Sequence, residues 1–403
     1  MKRLALLILS VILVLSICGC TNDSTDANEP STSNETSVSS DDDALALETL
    51  AIYDNNNLID KIDCVGSIKQ TDDGIVYSRY SDESTASSIE MEYYRYIFDT
   101  KENIKLGSVK GWSLQSHEAA YIDNHIYFFA CTGNVTNYDD RTLKFLDINL
   151  NDNSMTEIAS ETGGFPFDSL AAQGDRLLRV KVLKDGSSLV EYDPQTGETN
   201  TLLHYDFDDE NVVGNAIRKL SVNESEKTIS LLILEAESEE DVSLRMDIYD
   251  YDMNLLDTVD VSSISDDSNE LRQGVSFFEY FNDYFYYENY SITRYLAQVK
   301  NDSFEQIEDI DETFAKPFES VKDDEIKLFY QPLENNYIYL FDSKDGSMKK
   351  AAFKADDERY NISSLYKDEN NNLLILMSYK DPDTGERLES RLYYINQSAL
   401  NFE

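Results

Sequence analysis

EKTISLLILEAESEEDVSLRMDIYDYDMNLLDTVDV, residues 226–261, reads as three successive strands. An apolar run from Ile229 to Leu234 comes first. A tyrosine-rich run ending in Tyr249-Asp250 follows, and residues 255–261 then alternate apolar with polar. A strand covered on one face alternates, whereas a strand covered on both faces need not. The first run therefore asks to be sandwiched between two neighbours, and the third to keep one face in water.

Units of this kind recur along the chain. An acidic or Asn turn precedes each apolar run at Asp73, Asp123, Asp175, Glu226, Asp283, Asp324 and Asn371. The interval is roughly 41 to 57 residues, the range of a four-stranded propeller blade. A second series places an apolar residue before Asp or Asn at Phe98-Asp99, Leu146-Asp147, Tyr192-Asp193, Tyr249-Asp250, Phe341-Asp342 and Ile395-Asn396; the fifth unit, with YLAQVK, breaks it. Two series sharing one period predict an all-β fold: a β-propeller of seven blades, each of four antiparallel strands. A pair of β-sandwiches or a solenoid are the alternatives. The blades are expected at residues 65–109, 110–160, 161–205, 206–263, 264–309, 310–355 and 356–403.

Residues 45–64 stand outside this count. LAIYDNNNLIDKIDC matches MDIYDYDMNLLDTVDV of the fourth unit, and the last unit lacks room for an outer strand. An N-terminal strand or hairpin is therefore expected to close the ring and leave no sheet edge open between first and last blades. One feature resists this: Tyr53-Asp54 has the pattern of a third strand rather than a fourth, so an extra partial blade is the other outcome.

The chain has 403 residues, with 34 Lys+Arg against 78 Asp+Glu and a net charge of −44. A surface this acidic repels phosphate backbones, which excludes nucleic acid as a partner, and it attracts cations or basic segments. Lys2 and Arg3 precede an apolar run, residues 4–17, and then Ile17-Cys18-Gly19-Cys20. The run has the layout of a secretory signal and is shorter than the ~20 residues a membrane span needs. The tetrapeptide resembles the bacterial lipobox, with Cys18 as a departure at its second position. The resemblance implies cleavage after Gly19 and lipid on Cys20, whose two acyl chains suffice for stable anchoring. Residues 20–44 then form a Ser/Thr/Asn/Asp-rich tether too polar to fold, and residues 45–403 the propeller domain.

Cys64 and Cys131 remain in the body, as buried free thiols or as an inter-blade disulfide that an extracytoplasmic location would permit. No catalytic residue can be assigned. His117, His125 and His204 lack metal-ligand spacing, and no nucleophile elbow or phosphate-binding glycine loop is present. Residues 147–153 and 381–386 offer oxygen ligands for calcium, but hairpin turns use the same residue types. The expected metal and cofactor complement is none, with a divalent cation as a candidate partner only. Ligand-binding candidates are the single Trp112 and the tyrosines of FFEYFNDYFYYENY, namely Tyr280, Tyr287 and Tyr290; the same rings would serve as packing between blades.

In a propeller the blade-to-blade connections share one face with the loops between second and third strands. Here these are the acidic segments 81–90, 205–214, 235–243, 262–273, 354–360 and 380–390. Concentrated negative potential is expected on that face, drawing a basic protein or peptide, a cationic ligand or a divalent ion. As a whole the chain resembles bacterial surface lipoproteins with a β-propeller domain. The resemblance implies an extracytoplasmic, lipid-anchored, cell-surface protein that binds or scaffolds rather than catalyses. A hydrolase or lyase acting on polysaccharide or peptide, and a solute-binding sensor component, are the alternatives.

Overall fold

The computed structural model describes residues 48–64, 66–85, 89–110, 114–133, 141–163, 169–182, 186–206, 214–236, 241–265, 271, 275–289, 294–300, 303–307, 315, 325–331, 336–355, 357, 359–368, 372–380 and 387–403. Its strands form a seven-bladed β-propeller. A hairpin, β1 (Glu48–Asp54) and β2 (Asn57–Cys64), opens the chain. Blade one is β3 (Gly66–Thr71), β4 (Gly74–Tyr80), β5 (Glu90–Ile97) and β6 (Glu102–Lys110). Blade two is β7 (Leu114–Ile122), β8 (His125–Gly133), β9 (Arg141–Asn149) and β10 (Ser154–Thr162). Blade three is β11 (Leu170–Gln173), β12 (Arg176–Val182), β13 (Gly186–Tyr192) and β14 (Thr199–Asp206). Blade four is β15 (Gly214–Asn223), β16 (Thr228–Ala236), β17 (Val242–Asp250) and β18 (Leu255–Asp260). Blade five is β19 (Val275–Phe281), β20 (Tyr284–Asn289), β21 (Arg294–Lys300) and β22 (Ser303–Gln306). Blade six holds β23 (Ile326–Gln331), β24 (Tyr337–Asp342) and β25 (Ser347–Ala352), and Ala315 bridges to Tyr330 on the inner side. Blade seven begins with β26 (Asn361–Lys367), β27 (Asn372–Lys380) and β28 (Arg387–Asn396).

The apolar runs sit where their patterns demand. In β16 the side chains of Leu231 and Ile233 join Leu178, Val180 and Leu189 of blade three, while Leu232 and Leu234 join Val275, Phe278 and Phe285 of blade five. Successive residues of one strand point to opposite faces, so a strand wedged between two blades is apolar throughout. Each of the seven junctions has its own apolar cluster, including the one between blades seven and one, where Leu50, Ile52 and Leu392 meet Ile68, Ile75 and Tyr96. The ring is thus closed by packing as well as by hydrogen bonds.

The apolar-Asp series has a structural cause. Asp193 Oδ1 accepts the amides of Gln195 and Thr196, and Asp250 Oδ1 those of Asp252 and Asn254. Asp342 Oδ1 accepts that of Lys344, and Asn396 Oδ1 that of Ser398. Each side chain mimics a backbone turn and reverses the chain after a third strand. Gly197 and Gly346, at φ 75° and 69°, take the left-handed positions that complete two of these turns.

Closure departs from four strands per blade. The N-terminal hairpin adds two strands to blade seven, giving the order β2-β1-β28-β27-β26. Strand β1 runs parallel to β28, with Leu50 to Asp54 against Ser390 to Tyr394. A parallel partner has the direction of a third strand, which is why Ile52-Tyr53-Asp54 carries the third-strand pattern. The hairpin is a second third-plus-fourth-strand unit laid on the first. The other end of the chain makes a further strap. Glu403 exchanges two 3.0 Å backbone hydrogen bonds with Lys350 on β25, and Leu400 and Phe402 pack on the junction of blades six and seven.

Candidate functional site

The first strand of each blade bonds to its own second strand, which leaves its other edge turned toward the axis. Unpaired backbone groups on such an edge are costly unless something meets them. Side chains from the preceding blade do so here. Glu118 Oε2 accepts the amide of Leu170, Ser169 Oγ that of Leu220, and Ser221 Oγ that of Tyr280, at 3.0, 3.3 and 3.1 Å. These three bonds stitch the inner strands of blades two, three, four and five in sequence. Across the seam of blades six and seven, the Tyr330 hydroxyl donates to the Ser363 carbonyl at 3.1 Å, and Asn336 Oδ1 accepts the amide of Ile362.

Two couplings skip a blade and so cross the channel. The Lys219 ammonium of blade four pairs with the Glu118 carboxylate of blade two. Their side chains are only 5% and 18% exposed, which makes this a buried pair. Tyr121 of blade two and Tyr366 of blade seven lie within electrostatic reach of one another over blade one. Burial, then that proximity, pushes the Tyr121 phenol up. Burial pushes Tyr366 up to about 12 and raises Tyr330 as well. The three phenols therefore stay protonated. Lower in the wall, Lys327 bonds Glu279 at 2.8 Å and lies 5.3 Å from the centre of the Phe281 ring. Lys69 stands 4.9 Å over Phe128, and burial pulls its ammonium down to about 8.

Among the described residues, every carboxylate whose pKa clearly departs from its ordinary value is lowered: Glu92, Glu161, Asp193, Asp250, Glu305, Asp345 and Asp357. Glu161 is representative. Burial works against its charge, but Arg179 and Lys181 together hold it below the usual carboxylate range. These carboxylates belong to the outer strands, turns and connections; in the wall, Glu118 and Glu279 are engaged by Lys219 and Lys327. Removing one member of the buried pair strands the other. Lys219→Met is expected to cost about 3–5 kcal/mol, lowering the unfolding midpoint by roughly 5–15 °C. Lys219→Met/Glu118→Gln, which keeps an acceptor for the Leu170 amide, should recover at least half. A single variant that melts within ~2 °C of the parent would mean the pair is solvated.

The candidates read from the sequence distribute as follows. Tyr280 and Tyr287 are 7% and 1% exposed and fill the junction of blades four and five, the Tyr280 hydroxyl donating to Asp283 at 3.2 Å. Trp112, Tyr290 and Cys20 lie outside the described residues, as do residues 381–386 and the central parts of most acidic connections. In the stretch 147–153, Asp147 bonds His125 at 2.8 Å, Asn149 accepts the amide of Asn151 and Asp152 that of Ser154. Those oxygens build the hairpin, and among the described residues no group of three His, Cys, Asp or Glu could hold a metal ion. Cys64 and Cys131 are buried and not joined in a disulfide, the first at the junction of blades seven and one, the second at that of two and three. Glu118, Lys219, Glu279 and Lys327 were not singled out from the sequence.

No family model and no curated protein matches the chain. Solved structures do. The periplasmic gluconolactonase of Pseudomonas aeruginosa matches at 10% identity and a TM-score of 0.45, over 81% of this chain and 99% of that one. A putative 6-phosphogluconolactonase of Bacteroides fragilis matches at 11% identity and 0.42, over 83% and 99%. The acylaminoacyl peptidase of Pyrococcus horikoshii matches at 13% identity and 0.44 over 66% of this chain, which spans 43% of the peptidase's length.

Proposed function

We propose that the protein is an extracytoplasmic binding or scaffold lipoprotein, anchored through Cys20, that presents the acidic face of its propeller to a basic protein segment, peptide or cationic ligand. What supports this above all is the state of the inner wall. Its charges cross-link the blades, as in Glu118–Lys219 and Lys327–Glu279, and make a stiff platform whose partners would engage the rim loops. The net charge of −44 and the acidic connections give that rim its preference. The leader and the polar tether supply the address and the reach.

The reading is tested on the fragment 44–403 with a lysine-rich peptide as probe. Neutralising Asp208, Asp209, Glu210, Asp266 and Asp267 in two blade connections should weaken binding about ten-fold at low salt. Neutralising Asp72, Asp152, Asp175, Asp252 and Asp345 in the turns of the opposite face should change it less than about two-fold. Equal losses from the two sets would show attraction to net charge alone and remove the acidic-face assignment.

A further inference from the structure

The outer half of blade three carries a Ser–His–Asp array that is separate from the channel. Strands β13 and β14 pair with Tyr192 opposite Thr199, and a bulge past Val190 shifts the register so that Ser188 stands opposite His204. His204 Nδ1 lies 2.8 Å from Ser188 Oγ, and its Nε2 lies 3.0 Å from Asp206 Oδ1. An ionised carboxylate can only accept a hydrogen bond, so in the neutral ring Nε2 carries the proton. Nδ1 then presents its lone pair, and the Ser188 hydroxyl is the donor toward it. The tautomer is thus set by Asp206 in the sense that prepares the imidazole to take a proton from the serine.

Two neighbours fit the same arrangement. Gly186 shares a strand face with Ser188, and a Cβ at Gly186 would come within 2.8 Å of His204 Cε1 and 2.5 Å of the Tyr205 carbonyl oxygen. The ring lies on the strand because residue 186 has no side chain. Lys181 of β12 is the cross-strand partner of Ser188 on its other side, so Lys181, Ser188 and His204 form one row on one face. The Lys181 ammonium is 3.1 Å from Glu161.

We propose that this row is an acyl-transfer site, with Ser188 as nucleophile, His204 as its general base and Asp206 as the positioning residue. The roles are those of a hydrolytic triad with the two ring nitrogens exchanged. Ser188 Oγ bonds to the acyl carbon of an ester while its proton passes to His204 Nδ1. The ester C–O bond breaks, and the alcohol leaves with that proton. A water then gives a proton to Nδ1 and attacks the acyl carbon; the Oγ–acyl bond breaks, the proton on Nδ1 passes to Ser188 Oγ, and the carboxylic acid leaves. Lys181, on the same row, stays paired with Glu161. His204 is 47% exposed and Asp206 91%, so the array is open to solvent and suits small activated esters. Asp206 lies at the start of the acidic connection 205–214, but the chemistry needs no partner bound there, so failure of either reading leaves the other standing.

The experiment is labelling of the fragment 44–403 with a fluorophosphonate, in which the Ser188 Oγ–P bond forms, the P–F bond breaks and fluoride leaves as His204 takes the proton. The label should map to Ser188 and attach about ten-fold faster than to Ser188→Ala or His204→Gln. Asp206→Asn should slow it by a similar factor while Asp206→Glu retains it, a contrast that a merely structural hydrogen bond would not produce. Hydrolysis of p-nitrophenyl acetate should follow the same order. These are surface positions, and unchanged unfolding midpoints confirm that each variant is folded. Labelling equal in the parent and Ser188→Ala, or indifferent to Asp206→Asn, overturns the assignment and leaves the three side chains as a hairpin contact.

Discussion

A fragment comprising residues 66–403 does not form a cooperative ring, whereas 44–403 does. The hairpin it lacks is a small part of the chain but occupies the one seam that no continuous blade can close. Leu50, Ala51 and Ile52 are at most 2% exposed, and Tyr53, Ile62 and Cys64 are also buried. Tyr53 stacks on Tyr393 with ring centres 4.8 Å apart. Polar bonds bind the hairpin to blade one as well: the Tyr96 hydroxyl donates to Asp60 at 2.9 Å and the Lys101 ammonium to the Ile59 carbonyl at 3.1 Å. Leu50, Ile52, Tyr53 and Ile62 each contribute about 1.5–3 kcal/mol by burial, or roughly 10 kcal/mol together. That is comparable with the whole stability of an ordinary domain, about 5–15 kcal/mol. The deletion also bares the backbone edge of β28, an invitation to pair with another chain. Calorimetry of 44–403 should therefore give one sharp transition. The shorter fragment should give a broad one or aggregate, and a peptide of residues 44–65 added in trans should restore sharpness. If 66–403 melts sharply within ~2 °C of the longer fragment, the packing of Tyr366, Leu374 and Leu392 of blade seven against blade one suffices to close the ring.

The parts of the fold that local chemistry determines were readable in the chain. Consecutive apolar residues such as Leu231 to Leu234 announce a strand with two dry faces, and the final Asp of Tyr192-Asp193 announces a turn because its carboxylate caps the next two amides. Even the puzzle of Tyr53-Asp54 was a true signal, since β1 runs in the direction of a third strand. What escaped depends on register or on distance along the chain. Glu118 and Lys219 are 101 residues apart, and nothing near either announces the other. Ser188 and His204 would miss each other in a straight ladder, because pairing Tyr192 with Thr199 carries Ser188 to Leu203. The bulge corrects this by one residue, and a one-residue slip exchanges faces. Bulges are set by packing against the neighbouring blade and leave no residue signature of their own here.

Cys20→Ser is expected to abolish incorporation of labelled fatty acid, while Cys18→Ser should leave it intact. The apolar run of residues 4–17 is too short to span a bilayer. Among the described residues no helix is long and apolar enough to cross one. The anchor proposed here is lipid on the Cys20 sulfur. A single acyl chain gives only marginal, reversible binding, with an association constant of about 10⁴ M⁻¹. The diacylglyceryl group implied by the lipobox brings two chains, and at about 0.8 kcal/mol for each buried CH₂ the second makes release slow. The acidic body works in the opposite direction, because a net charge of −44 is repelled by anionic headgroups. In the proposed arrangement residues 21–43 would hold that charge away from the surface, so that anchor and tether would act as one device. The mature form carrying Cys20 should partition into the detergent phase on cloud-point separation. A secreted form beginning at Thr21 should remain wholly in the aqueous phase. Fatty-acid label that survives Cys20→Ser, or disappears with Cys18→Ser, would move the modified sulfur one step upstream and the cleavage site with it. Label absent from the parent, with the protein still in the membrane fraction, would instead assign retention to the uncleaved leader.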